Sequence, residues 1–264
     1  MIASQIFDVR DRVAIVTGAG SGLGLAMAEV MAENGAVVTL VDRDAPALDA
    51  AVSRLAKDGG KVSGEQVDVA DSAALGAVVE RVVARHGRLD VAFANAGISA
   101  GPGIRTQEGQ LDAVSAAKWN EVLGVNLTSV FETIRAASIP MKKQRSGRII
   151  ATASVAGMKA EYMVGYAYAA TKAAVINIVR LAALELAPYD VCINAIAPGP
   201  FLTNIAGGRL HRDPSVARQF EQIVPLRRMA KPDELKGLAL LLASPASSFI
   251  TGTCIPIDGG ITAG

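Results

Sequence analysis

The run Val13-Ala14-Ile15-Val16-Thr17-Gly18-Ala19-Gly20-Ser21-Gly22-Leu23-Gly24 decides how this chain is read. Its first five residues are an apolar stretch of the kind that fills a strand buried on both faces. Glycines recur at 18, 20, 22 and 24, and Leu25-Ala26-Met27-Ala28-Glu29-Val30-Met31 follows with helical spacing. A strand, a glycine turn and a helix start together make an anion site. Glycine lets the backbone approach a ligand closely and turn through positive φ. The helix start offers free N–H groups and a partial positive charge to a diphosphate. A glycine cluster alone is an ordinary loop, but here both flanks are of the required type. Gly18, Ser21, Gly22, Leu23 and Gly24 are therefore candidate dinucleotide-binding residues.

Outward from this run, short apolar strands alternate with amphipathic helices to the end of the chain. The strand candidates are Val13–Thr17, Val37–Val41, Lys61–Val67, Leu89–Ala94, Gly147–Thr152, Val191–Ile196 and Thr253–Ile257. Helices are expected at about 23–34, 45–57, 72–86, 118–143, 166–187 and 232–243. This alternation predicts an α/β fold, a parallel sheet covered on both faces. No linker, repeat or low-complexity segment interrupts it, so residues 1–264 are read as one domain. Charge is balanced, 26 basic against 25 acidic residues, which gives no bulk attraction to nucleic acid or an anionic membrane. Cys192 and Cys254 form no CxxC and sit in apolar runs, so both are expected as buried free thiols. With His86 and His211 the only histidines, no metal-ligand cluster is visible. The first residues lack the basic and apolar regions of a signal peptide, and no apolar run is expected to reach membrane-spanning length. A cytoplasmic protein is the expectation.

The strand ends carry the polar residues. Asp42 closes the second strand about 20 residues beyond the glycines, where a dinucleotide fold places an acid on the adenosine ribose. A carboxylate there accepts from a 2′-OH and repels a 2′-phosphate, which favours NAD over NADP. Arg43 complicates this, because arginine can pair with a 2′-phosphate. The plain alternative for Asp42 is a solvated strand-end acid. Asp68 and Val69 follow the third strand and suit an adenine ring; the alternative is a helix cap, for which Asp71 or Ser72 is better placed. Asn95-Ala96-Gly97 ends the fourth strand, at the edge where open α/β sheets bind ligands. Residues 98–118 form a long polar, glycine-rich segment. Asn126 lies in an apolar helix, where an amide needs a hydrogen-bond partner. Ser154 follows the fifth strand. Tyr168 and Lys172 stand four apart on one helix face. Taken singly, the tyrosine reads as core and the lysine as snorkelling; behind a dinucleotide motif, the pair reads as a site.

Six features in order make the chain resemble the short-chain dehydrogenase/reductase family: Thr17-Gly18-x3-Gly22-x-Gly24, Asn95-Ala96-Gly97, Asn126, Ser154, Tyr168-x3-Lys172 and Pro198-Gly199-x3-Thr203. The resemblance covers essentially the whole chain. It implies a single Rossmann domain with a seven-stranded parallel sheet, and a catalytic tetrad of Asn126, Ser154, Tyr168 and Lys172. Tyr168 would be the general acid/base while hydride passes to or from a nicotinamide. Lowering its pKa by about three units needs roughly 4 kcal/mol, which Lys172 and the positive nicotinamide would supply. Lys172 would also bond the nicotinamide ribose, and Ser154 would orient the substrate oxygen. Asn126 would hold a water behind Lys172. Pro198, Gly199 and Thr203 would hold the carboxamide.

Two departures stand out. The Ser154-to-Tyr168 interval is fourteen residues, one more than is common in the family, and the segment after Gly97 is longer than usual. Tyr166 is a decoy, since its i+4 position is Ala170. The substrate pocket is expected to draw on Ser154, Met158, Tyr162 and Phe201, with Ser99, Ala156 and Met163 nearby. A lid over about 204–224 would add Ile205 and His211, with Arg209 and Arg212 keeping an anionic substrate open. This lining suits a secondary alcohol or ketone. The last strand and the helix at 232–243 resemble the family's two-fold surface and imply a homotetramer. Competing readings are an NADPH-dependent ketone or β-ketoacyl reductase, and a non-catalytic NAD-binding regulatory protein.

Overall fold

The computed structural model describes residues 2–205, 208 and 214–263. Seven parallel strands form one sheet: β1 (Val13–Thr17), β2 (Val37–Asp42), β3 (Lys61–Gln66), β4 (Val91–Ala94), β5 (Gly147–Thr152), β6 (Val191–Pro198) and β7 (Cys254–Ile257). Their spatial order is β3-β2-β1-β4-β5-β6-β7. The order reverses between β1 and β4, so their carboxyl ends open a crevice at that point. Every residue of β1 is buried, as a central parallel strand requires. The edge strand β3 is polar and half-exposed, which blunts further pairing.

After the single turn α1 (Ala3–Ile6), helices cover both faces: α2 (Gly22–Glu33), α3 (Ala45–Lys57), α4 (Ser72–His86), α5 (Ala116–Leu123), α6 (Ser129–Gln144), α7 (Tyr166–Leu186), α8 (Pro214–Ile223) and α9 (Lys236–Ala243). One core layer joins Val78 and Val82 of α4, Ile134 and Met141 of α6, and Val175 and Val179 of α7 to the sheet. The other joins Met27 and Met31 of α2, Leu48 and Leu55 of α3, and Leu242 of α9. Asp71 caps α4 by accepting from the N–H groups of Ala73 and Ala74, leaving Asp68 free of that duty.

Most strand and helix boundaries fall within two residues of those expected, and the differences have local causes. β4 begins at Val91, two residues later than expected, although the Asp90 backbone still bonds both neighbouring strands, its N–H donating to the Val13 carbonyl and its carbonyl accepting from the Arg148 N–H. Leu89 exchanges two hydrogen bonds with the Gln144 amide, and Asp90 accepts from the Val13 N–H and from Arg88. β6 runs on to Pro198 because Ala195–Pro198 pair with β7. The expected helix over 118–143 is two α-helices joined by a wide π-type turn, Gly124–Thr128. Helix α8 lies in the expected lid and was not foreseen; His211, Arg209 and Arg212 lie outside the described residues. Cys192 and Cys254 are free, but half-buried rather than buried. Cys254 lies on the edge strand β7 and Cys192 on its neighbour β6, yet burial pushes the Cys254 thiol up to about 11. The expectation that no run reaches membrane-spanning length also needs correcting: the helical stretch Tyr166–Tyr189 is long and apolar enough by length and composition. Here one face of it packs on the sheet, which accounts for its apolar content.

Candidate active site

Thr17 ends β1 and ties the glycine turn to the end of β4. Its hydroxyl donates to the Phe93 carbonyl (3.2 Å) and accepts from the N–H groups of Asn95 (3.0 Å) and Ala96 (3.2 Å). The Asn95 amide donates to the Thr17 carbonyl and accepts from the Thr152 hydroxyl, linking β1, β4 and β5. Asn95 was expected to touch a cofactor; its visible work is to hold the crevice floor together. In the sequence Thr17 reads only as the head of the glycine motif and Thr152 only as a strand end, which gives neither this tying role. Their signal was present: each is a hydroxyl at the end of an otherwise apolar strand.

The turn itself is a cradle. Gly18 and Gly22 have φ of +65° and +58°. A Cβ on Gly24 would lie 2.1 Å from the Gly18 carbonyl oxygen, so no other residue fits there. The start of α2 has no side-chain cap, since Ser21 makes no such bond, and its first N–H groups are left for a ligand. Thr203 closes the far side, within 3.4 Å of where a Gly22 Cβ would stand. Asp42 is fixed at the rim: Oδ2 accepts from the Gly20 N–H (2.8 Å) and Oδ1 from the Asp44 N–H (3.0 Å). The Arg43 guanidinium is drawn to Asp68, at 3.9 Å. Val69 is buried beside Leu75, Ala96 and Val125.

Ser154, Tyr168 and Lys172 come together beside this cradle. Ser154 caps the short turn Val155–Gly157, accepting from the Ala156 N–H, and its hydroxyl stands near enough to the Tyr168 phenol to favour the phenolate. Gly157 lets that turn press on α7: a Cβ there would stand 2.5 Å from the Lys172 carbonyl carbon. Lys172 is 2% exposed. Its Nζ donates to the Thr152 carbonyl (2.7 Å) and lies 5.6 Å from the centre of the Tyr168 ring. Burial lowers the Lys172 ammonium to about 8. Burial also raises the Tyr168 phenol above its ordinary value, against the Ser154 hydrogen bond that favours the phenolate. In the protein without cofactor desolvation outweighs that bond; the depression expected of Tyr168 depends also on the positive charge of a bound nicotinamide.

Asn126 lies fully buried in the wide turn, where its amide clamps one residue. Oδ1 accepts from the Ile98 N–H (2.8 Å) and Nδ2 donates to the Ile98 carbonyl (2.9 Å). A Cβ on Gly97 would lie 3.5 Å from Asn126 Oδ1 and 3.6 Å from Lys172 Nζ, so the three share one pocket wall. Of the expected substrate residues, Met158 and Tyr162 are exposed, and Tyr162 is covered by the Arg105 guanidinium at 4.7 Å. Phe201 is 5% exposed and packs in the core layer of α2 and α9, so it anchors the segment after β6 instead of lining an open wall. Gly199 presses on Asp258.

A family model described as enoyl-(acyl carrier protein) reductase matches residues 18–262. The chain belongs to the short-chain dehydrogenase/reductase family. The cyclohexanol dehydrogenase of Rhodococcus sp. (strain TK6) is 36% identical over 269 residues, spanning 96% of this chain and 97% of its own. The 3-oxoacyl-[acyl-carrier-protein] reductase of Thermotoga maritima is 36% identical, covering 95% of this chain and 97% of that one. The crystal structure of a short-chain type dehydrogenase/reductase from Mycobacterium marinum superposes with a TM-score of 0.90 at 32% identity over 98% of both chains. A solved structure from Beutenbergia cavernae, 35% identical with a TM-score of 0.89 over 98% of this chain and 100% of its own, holds NADP at low occupancy.

Proposed function

We propose that the protein transfers a hydride between NAD(H) and a secondary alcohol or ketone, with Tyr168 as general acid/base. The observation that carries this reading is the Ser154–Tyr168–Lys172 cluster beside an uncapped glycine cradle. The residues present fit a dinucleotide: close-packed glycines, the free start of α2 and the fixed Asp42 carboxylate. Gly18, Ser21, Gly22, Leu23 and Gly24 would hold the diphosphate, Asp42 the adenosine ribose, and Asp68 and Val69 the adenine. Lys172 would reach the second ribose, and Pro198, Gly199 and Thr203 the carboxamide. A bound nicotinamide supplies or accepts the hydride and, when oxidised, carries a positive charge.

Tyr168 does the proton chemistry. In reduction, its raised pKa keeps the phenol protonated, ready to give that proton to the oxygen becoming an alcohol. In oxidation the proton moves the other way, and the phenolate needs the Lys172 ammonium nearby. Ser154 donates to the same substrate oxygen and steadies its charge. Asn126 keeps Ile98 and Gly97 in place beside Lys172.

NAD is favoured over NADP because Asp42 holds negative charge at the ribose end while Arg43 is turned toward Asp68. The relatives that reduce 3-oxoacyl-carrier-protein thioesters support an NADPH-dependent ketoacyl reductase as the second reading. A homotetramer is supported by large apolar residues left exposed: Phe131 and Ile139 on α6, Leu181 and Leu184 on α7, and Phe249 before β7. The test is a panel of cyclic and acyclic secondary alcohols and ketones, followed by absorbance, with NAD(H) and NADP(H) in parallel. The account predicts turnover with NAD(H) and at least tenfold weaker use of NADP(H), roughly 1.4 kcal/mol. Preference for NADPH would overturn the assignment of Asp42, and no turnover on any member would return the protein to a nucleotide-binding role.

A further inference from the structure

The substrate wall after Ser154 is held from outside the site. Lys159 leaves the Val155–Gly157 turn and sends its Nζ to the carbonyl of Ile261, near the end of the chain (2.7 Å). That carbonyl belongs to a tight C-terminal turn organised by Asp258. Its Oδ1 accepts from the Gly260 N–H, and its Oδ2 from the Thr262 N–H and hydroxyl. The turn needs two left-handed residues, Gly259 at φ +64° and Gly260 at +97°. They allow a close approach on the other side. A Cβ on Gly259 would stand 2.6 Å from Val224 Cγ1, and the Gly259 carbonyl accepts from the Leu226 N–H. Val224–Leu226 is where the segment after Thr203 and α8 returns to the body of the protein. Beneath it lies a cavity of about 170 Å³ lined by Pro200, Val224, Leu226 and Asp258, among others. Packing on that side is therefore incomplete, and the C-terminal turn supplies the support.

We propose that the turn Asp258–Thr262, tethered by Lys159, is a strut that sets the spacing between the Met158–Tyr162 wall and the Val224–Leu226 return, making Lys159 a positioning residue for substrate binding. This rests on the hydride-transfer reading for its kinetic consequence, but not for its structural one. Lys159 touches neither the cradle nor the Ser154–Tyr168–Lys172 cluster. Breaking its bond should loosen the pocket mouth and leave cofactor binding and the chemical step alone. A charge-assisted hydrogen bond of this kind carries enough energy to change substrate affinity about tenfold.

The test compares Lys159→Met and Lys159→Arg with the wild type in two assays. The first follows backbone amide hydrogen exchange in peptides covering 224–226 and 261–263, with no substrate or cofactor present. Lys159→Met should exchange at least about fivefold faster there, and Lys159→Arg should stay near the wild type. The second measures steady-state kinetics on the best substrate of the panel. Lys159→Met should raise KM about tenfold, with kcat and NAD(H) affinity within about twofold, and Lys159→Arg should recover most of the loss. Unchanged exchange in Lys159→Met would overturn the strut. So would parallel losses in KM, kcat and cofactor affinity, which would mark general destabilisation. Faster exchange in a protein that turns over no panel member would uphold the strut while removing the hydride-transfer reading.

Discussion

Lys172 is a buried cation whose counter-charge is not a carboxylate. It is held by one backbone carbonyl and one aromatic ring, and burial lowers it to about 8. Below pH 8 the folded and unfolded chains both carry the proton, so the cost of burying the charge is fully present. Between about 8 and the ordinary lysine value of 10.5 the unfolded chain binds the proton and the folded chain does not, and the cost fades as pH rises. The gap corresponds to roughly 3 kcal/mol, at or above the roughly 1.5–3 kcal/mol of a hydrogen bond from a charged donor such as that to Thr152. Lys172→Met should therefore lose at least about a hundredfold in turnover yet unfold at no lower temperature than the wild type at pH 7. Its stability relative to the wild type should decline toward pH 10. Tyr168 has the opposite sign, since its raised pKa removes stability as pH rises, but only above about 10. Calorimetry between pH 7 and 10 isolates the lysine. A Tm several degrees lower at pH 7 would show that the ammonium stabilises the fold, contrary to this account.

At the scale of elements, the strands were the easiest features to read. β1 and β5 match their expected limits because short, β-branched, largely apolar runs with turn residues at their flanks are too brief for a helix. The wide turn Gly124–Thr128 was not legible, since a helix pattern runs through it and one extra residue per turn leaves no compositional mark. Asn126 was the only hint, an amide on an apolar face that needed a partner, though its partner Ile98 could not be named. Helix α8 was missed because it lies in a polar stretch read as lid. The outer faces of α6 and α7 carry Phe131, Ile139, Leu181 and Leu184 to solvent, an arrangement that association would relieve. Light scattering behind size exclusion should give the mass of four chains at micromolar concentration. A monomer mass would contradict the tetramer.

The whole molecule puts pieces distant in sequence into one crevice, and this explains what the sequence could and could not disclose. The glycine turn, Asn95, Ser154 and the Tyr168–Lys172 pair were legible because each sits at a strand end or on a helix whose place the parallel order dictates. The burial of Tyr168, which raises its phenol in the protein without cofactor, was not, because spacing does not encode how much water packing removes. Nor was the retirement of Phe201 into the core, or the engagement of Lys159 with the C-terminus, both products of long-range packing. The claim on which the account rests is that the phenol of Tyr168 moves the proton while the cradle independently holds the cofactor. Tyr168→Phe keeps the ring and removes only the hydroxyl. Its turnover should fall by about a thousandfold or more, while NAD(H) affinity, measured by fluorescence titration of the same sample, stays within about threefold of the wild type. Turnover within about threefold of the wild type would contradict the account.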